Sequence, residues 1–231
     1  MNKQLALAIK LNDEATLTDF NWQHNELLQQ QLQQLLSFEQ EPRLLYLWGS
    51  HGSGKSHLLQ ACCQAISAAQ PTMYLPLALL KDWGPETIDD IEEQALICID
   101  DVDTIAGNSA WEEALFHLYN KVKDSEQNLL IMSGNLPPAA IGIHLPDLRS
   151  RLGWGLVIQL NELSDSEKIN TLKQHAHKRG FDFPEAVGQF LINRCSRNMH
   201  DLHQLLNMLD DASLAAQRKI TIPFVKDILN I

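Results

Sequence analysis

Gly49-Ser50-His51-Gly52-Ser53-Gly54-Lys55-Ser56 is the stretch that decides how this chain folds. It meets the pattern G-x-x-x-x-G-K-[ST] at every fixed position. A loop of this kind turns successive backbone N–H groups inward around phosphate oxygens, and glycine leaves clear the space a Cβ would take. Lys55 would reach a β-phosphate, and a γ-phosphate where there is one; Ser56 would offer its hydroxyl to Mg²⁺. The apolar run Leu44-Leu45-Tyr46-Leu47-Trp48 ahead of the loop predicts a buried strand. Residues 57–69, beginning at His57, predict a helix whose N-terminal dipole faces the phosphates. In this strand–loop–helix setting the motif predicts a site for a nucleoside di- or triphosphate.

Outward from the loop, the same alternation continues. Residues 72–77, 95–101, 128–132 and 156–160 read as further strands, nearly continuous in apolar side chains. Between them, Trp111, Leu115, Leu118 and Val122 mark one stripe of a helix, and a Gln- and Leu-rich helix over 26–38 precedes the loop-bearing strand. Strands alternating with helices predict an α/β fold: a parallel five-stranded sheet covered on both faces. After Leu163 the pattern turns helical, with helices to about Arg179, over 184–195, over 199–216 and from Ile222-Pro223 to the end; a short strand over 219–222 is the one other element to expect.

With 231 residues the chain can hold one α/β domain and a small helical appendage. Its net charge of −11 disfavours broad, nonspecific binding to DNA through phosphates. Cys62, Cys63, Cys98 and Cys195 lack metal-ligand spacing, and Cys62 and Cys98 read as small core residues in a reducing cytosol. Neither a signal peptide nor a membrane-length apolar run is visible, which predicts a cytoplasmic protein with no membrane partner.

Asp100 and Asp101 end an apolar strand, at the edge where open α/β sheets bind ligands. Asp100 is the candidate Mg²⁺ ligand, directly or through water, and Asp101 the group that would orient an attacking water. Ser133-Gly134-Asn135 follows the next strand; Asn135 could contact a γ-phosphate or the water, or the stretch could be a plain turn into Pro137-Pro138. Arg149 and Arg151 flank Ser150, and a guanidinium suits a transition-state clamp on phosphate oxygens. Spacing leaves open whether either arginine serves its own site, a neighbour's, or a surface ion pair. His200 would approach a nucleotide if the helical segment covers the site; a solvent-facing histidine is the plain alternative. The N-terminal Gln4-Leu5-Ala6-Leu7-Ala8-Ile9 reads on its own as an edge strand or an extended docking peptide.

Together, the phosphate loop, the Asp100-Asp101 strand end, the Arg149-Ser150-Arg151-Leu152-Gly153-Trp154-Gly155 stretch and the helical C-terminal segment resemble the AAA+ module of the bacterial DnaA family. The closer resemblance is to that family's short Hda branch, and it covers essentially the whole chain, including Thr221-Ile222-Pro223-Phe224-Val225-Lys226. It implies an AAA+ P-loop module over 12–162, a helical lid over 163–231, and a peptide over 1–11 that binds the DNA polymerase III β sliding clamp through Gln4, Leu5, Leu7 and Ile9. Ala8 stands where the family's clamp peptide has proline. DnaA continues past its lid into a helix-turn-helix domain, whereas this sequence ends at Ile231.

The resemblance further implies regulatory inactivation of DnaA. A clamp left on replicated DNA recruits the protein, which stimulates hydrolysis of DnaA-bound ATP and limits re-initiation of DNA replication. Arg151 matches the family's arginine finger, acting in trans. Gly49, Gly52, Ser53, Gly54, Lys55, Ser56 and His57 would hold the phosphates, with Phe20 and Asn21 near the base and Ser56 and Asp100 near Mg²⁺. His200 stands where many relatives carry a sensor arginine, and a mostly neutral imidazole supports a γ-phosphate less than guanidinium does. With Gly134 and Asn135 at the first sensor, this favours ADP held as a conformational ligand. The alternative is an autonomous AAA+ ATPase or helicase loader, using Asp101 and Arg151 in a homo-oligomer; a small-molecule kinase ranks below both.

Overall fold

A computed structural model describes residues 11–12, 15–39, 43–125 and 128–231. The chain divides into two compact units: one holds the sheet and its helices as far as Leu160, and the other takes Asn161–Ile231 together with the loop tip His51–Gly54.

In the first unit, α1 (Glu26–Leu36) leads to β1 (Leu44–Trp48), the phosphate loop and α2 (Lys55–Ser67). Then come β2 (Thr72–Pro76), the single turn α3 (Leu77–Leu80), β3 (Leu96–Asp100), α4 (Ser109–Ser125), β4 (Leu129–Gly134), α5 (Pro146–Leu152) and β5 (Leu156–Gln159). The five strands pair in the order β2-β3-β4-β1-β5, and every pairing is parallel. β1, which delivers the phosphate loop, is therefore flanked on both sides, by β4 and β5.

Side chains alternate between the two faces of a strand, and the apolar runs divide accordingly. Leu44 and Tyr46 of β1, Ile97 and Ile99 of β3, and Leu130 and Met132 of β4 pack with Trp111, Leu115, Leu118 and Val122 of α4 and with Leu148 and Leu152 of α5. Leu45, Leu47, Leu96, Cys98, Leu129 and Ile131 face the other way, onto Leu28, Leu32 and Leu35 of α1 and Leu58, Leu59, Cys62 and Cys63 of α2. Burial on both faces is what makes these strands read as unbroken apolar runs.

Three differences from the sequence expectation bear on the site. α2 begins at Lys55 rather than at His57, so the lysine belongs to the first helical turn. β4 runs through Ser133 and Gly134, because those residues still pair with Leu47 and Trp48 of β1; only Asn135 lies beyond the strand. Residues 146–152, where no helix was expected, form α5, started by Pro146 at its first turn.

The second unit contains α6 (Asp165–Lys178), α7 (Glu185–Arg194), α8 (Met199–Ala216) and α9 (Ile222–Leu229) around a core that includes Leu172, Leu191, Leu202, Leu206, Phe224 and Val225. α6 starts on a capping box in which Ser164 accepts the Glu167 N–H and Glu167 accepts from the Ser164 backbone. The expected strand over 219–222 does not form. Ile220 is buried in the helical core, and Thr221 caps α9 by accepting the Phe224 N–H. Among the described residues no helix is long and apolar enough to cross a membrane.

Candidate nucleotide site

Two glycines shape the phosphate loop, Gly52 with φ +82° and Gly54 with φ +103°, a region that a Cβ disfavours. Gly52 has no room for one either: in the second unit a Cβ there would lie 2.7 Å from the Asn198 side chain, whose Nδ2 is also 2.7 Å from His51 Nδ1. Ser53 Oγ is buried and has no hydrogen-bond partner among the described residues. Lys55 is buried at the N-terminus of α2. Its Nζ donates to Gly49 O, Ser50 O and Asn135 Oδ1, each at 3.0 Å. Burial pushes the Lys55 ammonium below its ordinary pKa, against the pull of Asp101, Asp100 and Asp103. A buried cation whose hydrogen bonds go to neutral oxygens, an unpartnered buried hydroxyl and two left-handed glycines at a helix N-terminus fit a nucleoside phosphate, which would bring anionic oxygens to hydrogen-bond them.

Parallel pairing brings the strand ends together at this point. The Gly49 N–H donates to Gly134 O at 3.2 Å, tying the loop to the end of β4. Asn135, the next residue, meets one carboxylate from backbone and side chain: its backbone N–H reaches Asp103 Oδ1 at 3.0 Å and its Nδ2 reaches Asp103 Oδ2 at 2.6 Å. Sequence reading missed Asp103. It sits on a short 3₁₀ turn, Val102–Ile105, directly after the two acids that drew attention.

Asp100 is buried. Its Oδ1 accepts from Ser133 Oγ and its Oδ2 accepts the Tyr74 hydroxyl at 2.7 Å. Tyr74 and Ser133 were also missed. A carboxylate has about four acceptor positions, so Asp100 keeps capacity for a cation or its water while two hydroxyls fix its orientation. Ser56 is exposed on the first turn of α2. Among the described residues no group of three or more His, Cys, Asp or Glu is placed to hold a metal ion unaided. Mg²⁺ would draw on phosphate oxygens and water, as is usual for this ion. Asp101 takes a left-handed conformation, φ +56°, and its backbone N–H donates to Ser133 Oγ at 3.1 Å.

Phe20 packs on Trp22, centroids 4.6 Å apart, and on His57 of α2 at 5.8 Å. Asn21 Oδ1 accepts the Gln23 N–H at 3.0 Å. His200 is exposed and its Nε2 lies 2.9 Å from Gln204 Nε2 on the same helix. The clamp-peptide residues Gln4, Leu5, Leu7 and Ile9 lie outside the described residues.

Arg149 and Arg151 occupy the last turn of α5, Arg149 exposed and Arg151 half-buried. The Arg151 guanidinium lies 5.1 Å from the ring centroid of Trp154, and Lys123 Nζ stands 3.7 Å from the same ring. Both are within cation–π range. Trp154 itself is 59% exposed.

Comparison with known proteins agrees with this architecture. The family model of the bacterial DnaA ATPase domain matches residues 23–159, and that of the Hda lid domain matches residues 165–229. An uncharacterized protein of Haemophilus influenzae is 44% identical over 232 residues, covering all of both chains. Domain III of the Thermotoga maritima replication initiation protein DnaA superposes with a TM-score of 0.80 at 19% identity, over 96% of this chain and 98% of that one. AMPPCP-bound DnaA from Aquifex aeolicus gives 0.66 at 22% identity, over 87% of this chain and 66% of that one.

Proposed function

This chain belongs to the bacterial DnaA ATPase-domain family and carries an Hda-type lid, and on that premise we propose that it is a regulator of DnaA that acts by stimulating hydrolysis of DnaA-bound ATP. The observation that carries the proposal is the pairing of that lid with an ATPase domain that presents Arg151 beside an exposed Trp154 at the end of α5.

On this reading residues 1–11 dock on the β sliding clamp, residues 12–162 hold ADP, with Mg²⁺ near Ser56 and Asp100, and residues 163–231 form the lid. The nucleotide supplies the anionic charge that Lys55 faces. Lys55 and the loop amides bind it, Phe20 and Asn21 lie toward its base, and Asp101 stays beside Lys55 as a balancing charge. Arg151 does its work elsewhere, reaching charge that develops on the phosphates of the partner's ATP. A trans arginine contributes roughly 10³–10⁵ to hydrolysis in other nucleotide hydrolases, so one residue is enough.

The test uses DnaA preloaded with labelled ATP and clamp loaded on DNA. The protein is added with ADP and conversion of label to ADP is followed, wild type beside Arg151→Ala. The expected result is acceleration that needs both the clamp and Arg151. No acceleration with clamp-bound protein would overturn the proposal.

A further inference from the structure

We propose that Asp103 sets which nucleotide this site prefers, by locking the Asn135 side-chain amide with its oxygen toward Lys55. The inference rests on the reading that the loop holds a nucleotide, and it adds the residue that would favour a diphosphate over a triphosphate.

A primary amide has a donor end and an acceptor end, and its neighbours decide which faces where. Here both neighbours vote the same way. Asp103 is acceptor-only, and it takes the Asn135 backbone N–H at 3.0 Å and Nδ2 at 2.6 Å. Lys55 Nζ is donor-only, and it meets Asn135 Oδ1 at 3.0 Å. Turning the amide over would set its oxygen against a carboxylate and its NH₂ against an ammonium. The orientation is therefore fixed from both ends.

The consequence falls on the phosphate side. What Asn135 turns toward Lys55 is a lone pair. A phosphate oxygen is also an acceptor, so a terminal phosphate approaching Lys55 on the side of Asn135 Oδ1 meets an acceptor, while Asp103 takes one of the two Nδ2 hydrogens. A diphosphate that is satisfied by Lys55 and the loop amides does not need a donor there. Asp103 also pulls on Lys55 electrostatically, as Asp100 and Asp101 do, but its hydrogen bonds go to Asn135, and on this account it does not contact the ligand. It is a positioning residue, acting through Asn135.

The experiment is calorimetric titration of the full chain with ADP and with a non-hydrolysable ATP analogue, each with Mg²⁺. Wild type is expected to prefer ADP. Asp103→Asn keeps the shape but can donate to the Asn135 oxygen, which frees the amide to turn. The ratio of analogue to ADP affinity is then expected to rise about tenfold, the contribution of one hydrogen bond to a charged oxygen. In an Asn135→Ala background the same Asp103 substitution is expected to shift the ratio much less, leaving only the effect of one fewer carboxylate near Lys55, which a purely structural role for Asp103 would not predict. Should Asp103→Asn fail to fold, Asn135→Ala alone decides: removing the oxygen is expected to narrow the preference for ADP. An unchanged ratio in Asp103→Asn, or a shift of undiminished size without Asn135, overturns the inference while leaving nucleotide binding intact. Binding of neither nucleotide by wild type overturns the nucleotide reading itself.

Discussion

Glu112 on α4 accepts the backbone N–H of Leu145, 2.7 Å away, immediately before the helix that carries Arg151. The same carboxylate accepts from the His144 N–H, at 3.1 and 3.0 Å, and from the Gly107 N–H at 2.7 Å. A single acid, 1% exposed, thus holds three amides, two on the approach to α5 and one just ahead of α4.

The first expectation concerns stability. Glu112→Ala removes a buried carboxylate that serves three partly buried donors and should cost about 2–3 kcal/mol, with Glu112→Gln nearer 1–2. Burial acts to raise the Glu112 pKa, but the three backbone N–H groups outweigh it and hold the carboxyl below its ordinary value. The stability tied to Glu112 is therefore complete above the unfolded pKa and is lost as pH falls through the folded one. Urea unfolding across the acid range checks this: the gap between wild type and Glu112→Gln should close as pH drops. A gap independent of pH would refute the assignment.

A second expectation concerns the three tyrosines, Tyr46, Tyr74 and Tyr119. Burial raises the pKa of each phenol, helped by Asp103 at Tyr46 and by Asp100 at Tyr74, and opposed by Arg151 at Tyr119. An alkaline titration followed at 295 nm should show little tyrosinate near pH 10, the ordinary value. Absorbance should instead rise together with unfolding. By linkage, stability from the neutral phenols is full below the unfolded pKa and falls as pH climbs toward the folded ones. A clean titration near pH 10 in folded protein would contradict the burial described here.

Gly134 offers a third test. A Cβ there would lie 2.1 Å from the Tyr46 hydroxyl and 3.1 Å from its Cζ. Gly134→Ala should cost about 1–3 kcal/mol through overpacking. Because the hydroxyl is the closer obstacle, adding Tyr46→Phe should recover part of the loss, although it strips Leu136 O of its 3.0 Å donor. Strictly additive melting shifts would mean that the two positions do not meet.

The fourth expectation is optical. Trp154 carries Lys123 and Arg151 near its ring. An anionic quencher should be drawn to it and a cationic one repelled. Iodide should therefore quench wild-type fluorescence more than Trp154→Phe fluorescence, caesium should distinguish them little, and Lys123→Gln should weaken the iodide effect. Equal sensitivity to both ions would remove the cation pair from consideration.

Much of the first unit was legible because its strands are buried on both faces, so Leu44–Trp48 and Leu96–Asp100 announce themselves as apolar runs. The 17-residue α4 shows its stripe because one of its faces is buried and the other is exposed. α5 was not legible. It spans seven residues and buries only Leu148 and Leu152, too few to show a period, and its approach is fixed by an acid 33 positions earlier. In the site, Lys55 follows from a contiguous motif. Asp103 does not, because its meaning depends on β3 lying beside β4 and on Asn135, 32 residues away. Gly134 read as a turn glycine; its place in β4 is set by pairing with Trp48.

The strand order also has a consequence in time. β1 emerges early from the ribosome, yet its neighbours in the sheet are β4 and β5. A nascent chain that has reached Ser125 already carries the whole phosphate loop but neither Gly134, which anchors Gly49, nor Asn135, which engages Lys55. Pairings between distant segments form slowly and leave edges open while they wait. The loop's contacts thus wait for β4, which carries Gly134 and delivers Asn135, and a chain truncated before it would carry the motif without them.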